Sequence, residues 1–331
     1  MKDILNRLFS HGNLDRETAR SVLINLAKEQ YNQAQIAAFL TVYLMRSITV
    51  EELAGFRDAL LELCVPADLL DYNLIDVCGT GGDGKDTFNI STLTSFIVAG
   101  AGYHVAKHGN YSVSSSCGSS NVMEYYGHRF TNKIDTLKRQ LDTAGICFLH
   151  APLFHPAMKT VAPIRKELGI KTFFNMLGPL VNPAHPSHQM VGVFSLELAR
   201  MYHYLLQSDQ VEYVVVYDLN GYDEISLTGR IKIYGNRSES LLEPDSISKI
   251  SVRSSDLTGG TTIEESAAIF MKILKNEGSP EQSEVVLVNA ALAIQRFKTE
   301  ASLNDCVEEA RVSLESGQAL KAFKLLIDGA S

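Results

Sequence analysis

The chain changes character once, near residue 72, and that change limits its fold more than any other feature. Before it, the pattern is helical throughout. Asp15 is placed to cap a helix whose apolar stripe, Ala19, Val22, Leu23 and Leu26, has i, i+3, i+4, i+7 spacing. Asn32 with Gln35 spells a capping box ahead of Ile36, Phe39, Leu40, Tyr43 and Leu44, and Thr49 with Glu52 spells another ahead of Leu53, Phe56 and Leu60. Pro66 closes the run. A few short helices bury little surface alone, so this segment must pack on the rest of the chain or on a second copy.

After residue 72 short apolar strands, glycine-bearing turns and helices alternate. "NLIDVC" reads as a strand, Ser91 to Gly100 as a buried helix and "YHVAKHGN" as the next strand. A helix near Ile134 to Thr143, the strand "GICFLH", a helix around Ala157 to Leu168 and the strand "VEYVVVY" follow. "IKIYG" and helices around Glu264 to Lys275 and Ser283 to Phe297 complete the pattern. Such alternation predicts an α/β fold with a central, largely parallel sheet covered by helices. "PLVNPAHPSH", Pro179 to His188, is the most loop-like stretch and a candidate hinge. A length of 331 residues suits two domains, and neither an internal repeat nor a low-complexity segment interrupts them.

A net charge of −8 argues against nucleic acid or an anionic membrane as the main partner, so any anion site must be built locally. The first residues have no apolar signal core, and no stretch approaches the roughly 18 apolar residues of a membrane span. Cys64, Cys78, Cys117, Cys147 and Cys306 are odd in number and widely spaced, which suits free thiols in a reducing cytoplasm.

The loop "DVCGTGGDGKDTFNIST", Asp76 to Thr92, fits two phosphate-binding patterns. Gly79, Gly81 and Gly84 spell G-x-G-x-x-G, but no acidic residue ends the next strand to hold a ribose, as a dinucleotide fold requires. Gly79, Gly84 and Lys85 spell G-x-x-x-x-G-K, but Asp86 stands where a P-loop places its Ser or Thr. A glycine turn without ligand is the plainer alternative. Against it, free backbone N–H groups lie between a strand end and a helix start, where open α/β sheets bind ligands. Asp83 repels phosphate unless a divalent cation or sugar hydroxyls lie between them, and Ser91 and Thr92 add hydroxyls at the positive helix end. The loop therefore reads as built for a highly charged phosphate ester with metal.

A second loop, "KHGNYSVSSSCGSSN", Lys107 to Asn121, offers a lysine and six serines in a flexible backbone suited to oxyanions. Taken alone it is a solvated serine-rich turn. Two such loops after neighbouring strands would share one crevice. Asp223 and Glu224 sit together after a turn and before the short strand "EISL"; beside polyphosphate they become candidate Mg²⁺ ligands. Arg165 reads either as a surface arginine or as a fork for a substrate carboxylate. No Ser-His-Asp or Cys-His spacing is visible.

Together "DVCGTGGDGKDTFNIST", "AKHGN", "HPAMKTVAPIRKELGIKTFFNMLGPLVNP" and "GYDEIS", in this order across most of the chain, strongly resemble the anthranilate phosphoribosyltransferase family. The resemblance implies transfer of phosphoribose from 5-phosphoribosyl 1-diphosphate (PRPP) to the amine of anthranilate in tryptophan biosynthesis. It implies a small N-terminal all-helical domain, residues 1–72, completed by mid-chain helices near 157–188, and an α/β catalytic domain, 73–331, of the nucleoside phosphorylase/phosphoribosyltransferase type. The site would lie at their hinge, in a cytoplasmic homodimer formed through the helical domain, with two Mg²⁺ ions per site. Residue by residue it implies PRPP contacts from Gly79, Gly82, Asp83, Thr87, Asn89, Ser91, Thr92, Lys107, Ser115 and Ser119. Anthranilate would meet Gly79, Asn110 and Arg165, with His108 and the segment His155 to Met158 along its path. The metal ligands would be Ser91, Asp223 and Glu224.

Three positions depart from the family pattern: Tyr111 where Arg is expected, and Ser120 and Asn121 where Ala and Asp are. The nearest rival is a pyrimidine nucleoside phosphorylase, which shares the glycine loop and a "KH" loop but needs no Mg²⁺; the acidic pair and "FFNMLGPLVNP" favour the transferase. A non-catalytic nucleic-acid-binding relative would want a basic surface, which this chain lacks. Anthranilate's aromatic amine is neutral at pH 7, so the expected mechanism has no general base and no covalent intermediate. Positioning and charge stabilisation of the leaving diphosphate carry it.

Overall fold

Local capping chemistry sets the first four helices, α1 (Lys2–Phe9), α2 (Arg16–Ala27), α3 (Gln33–Met45) and α4 (Val50–Glu62). The Asp15 carboxylate accepts from Thr18 N–H at 2.8 Å, and capping boxes close on Asn32–Gln35 and Thr49–Glu52 as the sequence predicts. Helices α2 and α4 pack closely because α4 carries Gly55: a methyl group there would overlap the Arg16 carbonyl and Ala19. The computed structural model describes residues 1–112 and 117–329. They divide into two units, Met1–Ala67 with Ala151–Pro183, and Asp68–His150 with Ala184–Ser331. The division at Pro183 falls inside the loop-like stretch noted above.

The second unit opens with β1 (Leu74–Gly79), α5 (Ile90–Gly100), β2 (His104–Gly109), α6 (Ser119–Tyr125), α7 (Ile134–Ala144) and β3 (Ile146–His150). Helices α8 (Ala151–Phe154) and α9 (Met158–Leu168) then belong to the first unit. The reason is aromatic: Phe173, just after α9, stacks on Phe56 at 4.4 Å and meets Phe39 and Tyr43 edge-on. The chain returns to the sheet with β4 (His188–Gly192), α10 (Leu196–Gln207), β5 (Glu212–Asp218), β6 (Ile231–Gly235) and β7 (Glu239–Leu242). It ends in α11 (Ile263–Leu274), α12 (Pro280–Ile294), α13 (Leu303–Glu315) and α14 (Gln318–Asp328).

The seven strands run in the order β3-β2-β1-β4-β5-β6-β7. The first five are parallel, and β6 and β7 add an antiparallel edge. Strands β1 and β3 are apolar and almost wholly buried, as a sheet covered on both faces demands. From β1 the chain steps to β2 and β3 on one side and restarts with β4 on the other. The carboxyl ends of β1 and β4 therefore flank the point where strand order reverses, the place where open α/β sheets bind ligands. Helix α5, buried along most of its length, packs on β1 and β2 and against α12 and α14.

The structure corrects the sequence reading in three places. Strand β4, "HQMVG", was not among the expected strands, yet it pairs with both β1 and β5. The second loop does not run to Asn121, because α6 starts at Ser119. "EISL" is not a strand: its backbone bonds go to side chains of Asp218 and Asn289 instead of to a neighbouring strand. Helices α10, α13 and α14 also add to the expected set. Among the described residues no helix is long and apolar enough to cross a membrane.

Candidate active site

Strand β1 ends at Gly79 and passes into a loop anchored by the bond from Thr80 N–H to the Gly192 carbonyl of β4, 2.9 Å. Gly81, Gly82 and Gly84 hold φ of +66°, +78° and +73°, a region where a side chain is strained, so the glycines are needed for the turn itself. The Asp223 carboxylate accepts from Gly81 N–H at 2.6 Å, and Glu224 accepts from Ser91 N–H at 3.0 Å and from the Thr87 hydroxyl at 3.5 Å. Glu224 thus sits at the positive end of α5.

Two glycines make this approach possible. A methyl group on Gly79 would overlap the Asp223 carboxylate, and one on Gly192 would overlap the Asp223 carbonyl. Gly79, which resembles a phosphate-approach glycine in sequence, also makes room for the acidic pair. Gly192 does the same from β4, and only its position at the end of a short apolar strand hints at it.

Asp223 is buried, and Glu224 is partly so. Burial first, and then the Asp83 charge, push the Asp223 carboxyl up; burial, Asp223 and Asp83 push Glu224 up, against the Lys107 charge. The buried Asp83 Oδ2 accepts no hydrogen bond. Two raised carboxylates, beside a third that has an oxygen left over, form a donor set that fits a hard divalent cation. Among the described residues no three His, Cys, Asp or Glu side chains are gathered so as to hold an ion by themselves. A cation here would complete its shell with substrate or water oxygens, which is how Mg²⁺ usually binds.

Lys107 is buried, and its ammonium donates to the Val77 carbonyl at 2.7 Å, beneath the glycine loop. His108 N–H donates to buried Asp76 at 3.1 Å. Asn89 caps nothing; its amide donates to the Cys117 carbonyl at 3.1 Å and ties the start of α5 to the second loop. Thr92 is buried with its hydroxyl unpartnered. The Asn110 carbonyl accepts from Ser120 N–H at 3.1 Å and from the Ser119 hydroxyl at 3.3 Å. Ser115 lies outside the described residues.

The three departures each have partners. The Tyr111 hydroxyl donates to Glu124 at 3.2 Å and its ring meets His150 edge-on at 4.9 Å. Ser120 Oγ lies 2.9 Å from His150 Nδ1, and Asn121 accepts from Ser112 and Gly118 N–H.

In the first unit, Arg165 donates to Asn175 at 3.2 Å, and its guanidinium lies 5.4 Å from the Phe174 ring centre. Among the described residues no carboxylate pairs with it, and burial pulls its pKa down. It is a cation short of an anion. Burial also drives the His155 imidazole down to about 4, so it is neutral near pH 7.

The helical and α/β parts of the chain each match a known family. Profiles described as "Glycosyl transferase family, helical bundle domain" and "Glycosyl transferase family, a/b domain" match residues 2–64 and 71–320. The fold and these two matches define a glycosyl transferase with a helical and an α/β part. An anthranilate phosphoribosyltransferase of Flavobacterium psychrophilum is 57% identical over 328 residues, covering 98% of each chain. The Thermus thermophilus enzyme of that name superposes with a TM-score of 0.90 at 31% identity, covering 98% of each chain. The Saccharomyces cerevisiae enzyme, solved in complex with PRPP and Mg, gives 0.89 at 26%, over 98% of this chain and 96% of its own. The chain belongs to the anthranilate phosphoribosyltransferase family.

Proposed function

We propose that the carboxyl ends of β1 and β4 are where this chain carries out the reaction its family is named for. Phosphoribose passes from PRPP to the amine of anthranilate, giving N-(5-phosphoribosyl)anthranilate and diphosphate. The observation that carries the assignment is the adjacent Asp223 and Glu224, with the Asp83 charge acting on both, held against the Gly81 N–H of the glycine loop and the start of α5. A nucleoside phosphorylase working on free phosphate gains nothing from three such acids.

Asp223, Glu224 and the Ser91 hydroxyl would hold Mg²⁺, two ions per site, whose charge would stabilise the departing diphosphate. Gly79, Gly82, Asp83, Thr87, Asn89, Thr92, Lys107 and Ser119 orient PRPP around them. Lys107 acts as a fixed charge under the loop, and Asp83 is suited to the ribose hydroxyls or to the metal-bound oxygens. Arg165 pairs with the anthranilate carboxylate, Asn110 and the backbone at Gly79 contact anthranilate too, and His108 lines its path. No side chain is needed as general base, because the amine attacks neutral and loses its proton afterwards.

The reading takes residues 1–72, with the mid-chain helices near 157–188, as the helical domain and 73–331 as the catalytic one. It also takes the active form to be a cytoplasmic homodimer. Phe9 on α1 and Leu44 and Met45 at the end of α3 are 58%, 49% and 86% exposed, apolar side chains on the helical unit that would suit burial against a second copy. Met45→Glu should shift the sedimentation coefficient to that of a monomer; a monomeric wild type would refute the dimer. For the activity, anthranilate fluorescence should fall when PRPP and Mg²⁺ are added and persist when EDTA is present. No PRPP-dependent loss would overturn the assignment.

A further inference from the structure

Helix α12 is buried along nearly all of its length, and its run "VVLVNAALAI" is apolar except for Asn289. A side-chain amide that is 2% exposed in such a helix is costly unless its hydrogen bonds are made. Two of the three are made to one residue of the site segment. The Asn289 Nδ2 donates to the Ile225 carbonyl at 2.8 Å and to the Val285 carbonyl one turn back at 2.8 Å, while its Oδ1 accepts from Ile225 N–H at 3.2 Å.

Ile225 directly follows Glu224. Holding both its N–H and its carbonyl fixes the peptide planes on either side of it, and so the point from which the Glu224 side chain starts. Further along, the Asp218 carboxylate accepts from Ser226 N–H at 3.3 Å and from its hydroxyl at 2.5 Å. Among the described residues the segment bearing the acidic pair has no strand partner, and two side chains take that role. Asn289 also lines the same small pocket as Ser91, Asp223 and Glu224.

We infer that Asn289 is a positioning residue for Asp223 and Glu224: its amide fixes the segment that carries them, and so sets the site's grip on a divalent cation. The inference rests on the assignment of those two acids as the metal ligands. It predicts a loss specific to the cation, because Arg165 and the anthranilate contacts lie on other segments.

The test measures Mn²⁺ bound to the full-length protein with PRPP present, from the electron paramagnetic resonance signal of the free ion. Asn289→Ala removes all three bonds. Asn289→Ser removes the clamp on Ile225 while its hydroxyl can still satisfy the Val285 carbonyl within the helix, so it decides the matter if the alanine variant does not fold. Ser313→Ala is the control for general loosening, since it deletes another buried bond, 2.7 Å to the Ile97 carbonyl of α5. We expect Mn²⁺ affinity to fall roughly tenfold in the Asn289 variants and to stay within about twofold of wild type in the control, the scale of a lost buried hydrogen bond. Wild-type binding in the Asn289 variants beside lost binding in Glu224→Gln would overturn the inference and leave the active site standing. An equal loss in Ser313→Ala would also overturn it. Wild-type binding in Glu224→Gln would refute the metal assignment itself.

Discussion

Two groups of buried carboxylate can be compared within this chain, and they have opposite surroundings. Glu52, in the first unit, is fully buried. It accepts from Leu14 N–H and Thr49 N–H at 2.9 Å, from the Tyr43 hydroxyl at 3.3 Å and from the Arg46 guanidinium. Burial alone pushes its carboxyl up, and the bonds from Arg46, Leu14 and Thr49 more than reverse this. In the second unit burial and then Asp83 push Asp223 up, and burial, Asp223 and Asp83 push Glu224 up, while backbone N–H groups and the Lys107 charge oppose. A folded chain that only needed stability would treat both alike. Where the charge is compensated the carboxylate ties helices together; where it is left over, it waits for a cation.

The comparison breaks first at the uncompensated pair. Asp223→Asn with Glu224→Gln should lower kcat by about a hundredfold or more, since the charge that holds the metal is gone. The melting temperature should stay level or rise, because mutual repulsion goes with it. A clear drop in melting temperature would mean that the pair is structural after all. The next largest effect is the converse. Glu52→Gln leaves the nearly buried Arg46 without its partner and should cost about 3 kcal/mol in denaturant unfolding, while kcat per folded molecule is unchanged. If kcat fell with stability intact, the contrast would be lost.

Arg165 extends the comparison to the other sign, as a cation without a paired anion among the described residues. Arg165→Ala should raise the KM for anthranilate about tenfold, the scale of one charged hydrogen bond, and change the KM for PRPP little. The smallest effect is a pH signature. The folded-state pKa of Glu52 lies below its ordinary value of 4.5, so its contribution is fully present above that value and is lost as pH falls through the folded pKa. The stability gap between wild type and Glu52→Gln should therefore be constant from pH 8 to about pH 6 and narrow only in acid. A gap that opened on acidification would reverse the sign and refute the assignment.

Much of this was legible in the sequence, and the parts that were not share a cause. Helix caps are local, so Asp15, Asn32 and Thr49 announce α2, α3 and α4 from three or four residues. The glycine loop and the acidic pair are local as well. Strand β4 has only five residues and follows a proline-rich loop, so nothing nearby marks it; its partners β1 and β5 do. "EISL" alternates like a strand, but strand geometry needs a backbone partner, and Asn289, more than sixty residues later, takes that place. Gly192 and Asn289 left only faint traces: one glycine at a strand end, one amide in an apolar helix. The second loop was read as uniformly flexible because serine composition carries no information about Asn121, whose side chain draws together Ser112 and Gly118.

The position of Phe173 has a consequence for how the protein is made. The helices α1 to α4 leave the ribosome before the sheet, yet the aromatic cluster of Phe39, Tyr43 and Phe56 is finished only when a ring from more than a hundred residues later arrives. Between the two lies the first half of the sheet. These helices therefore wait, incompletely packed, until the chain has built β1 to β3 and come back, and this long closure is paid in time during synthesis as well as in entropy.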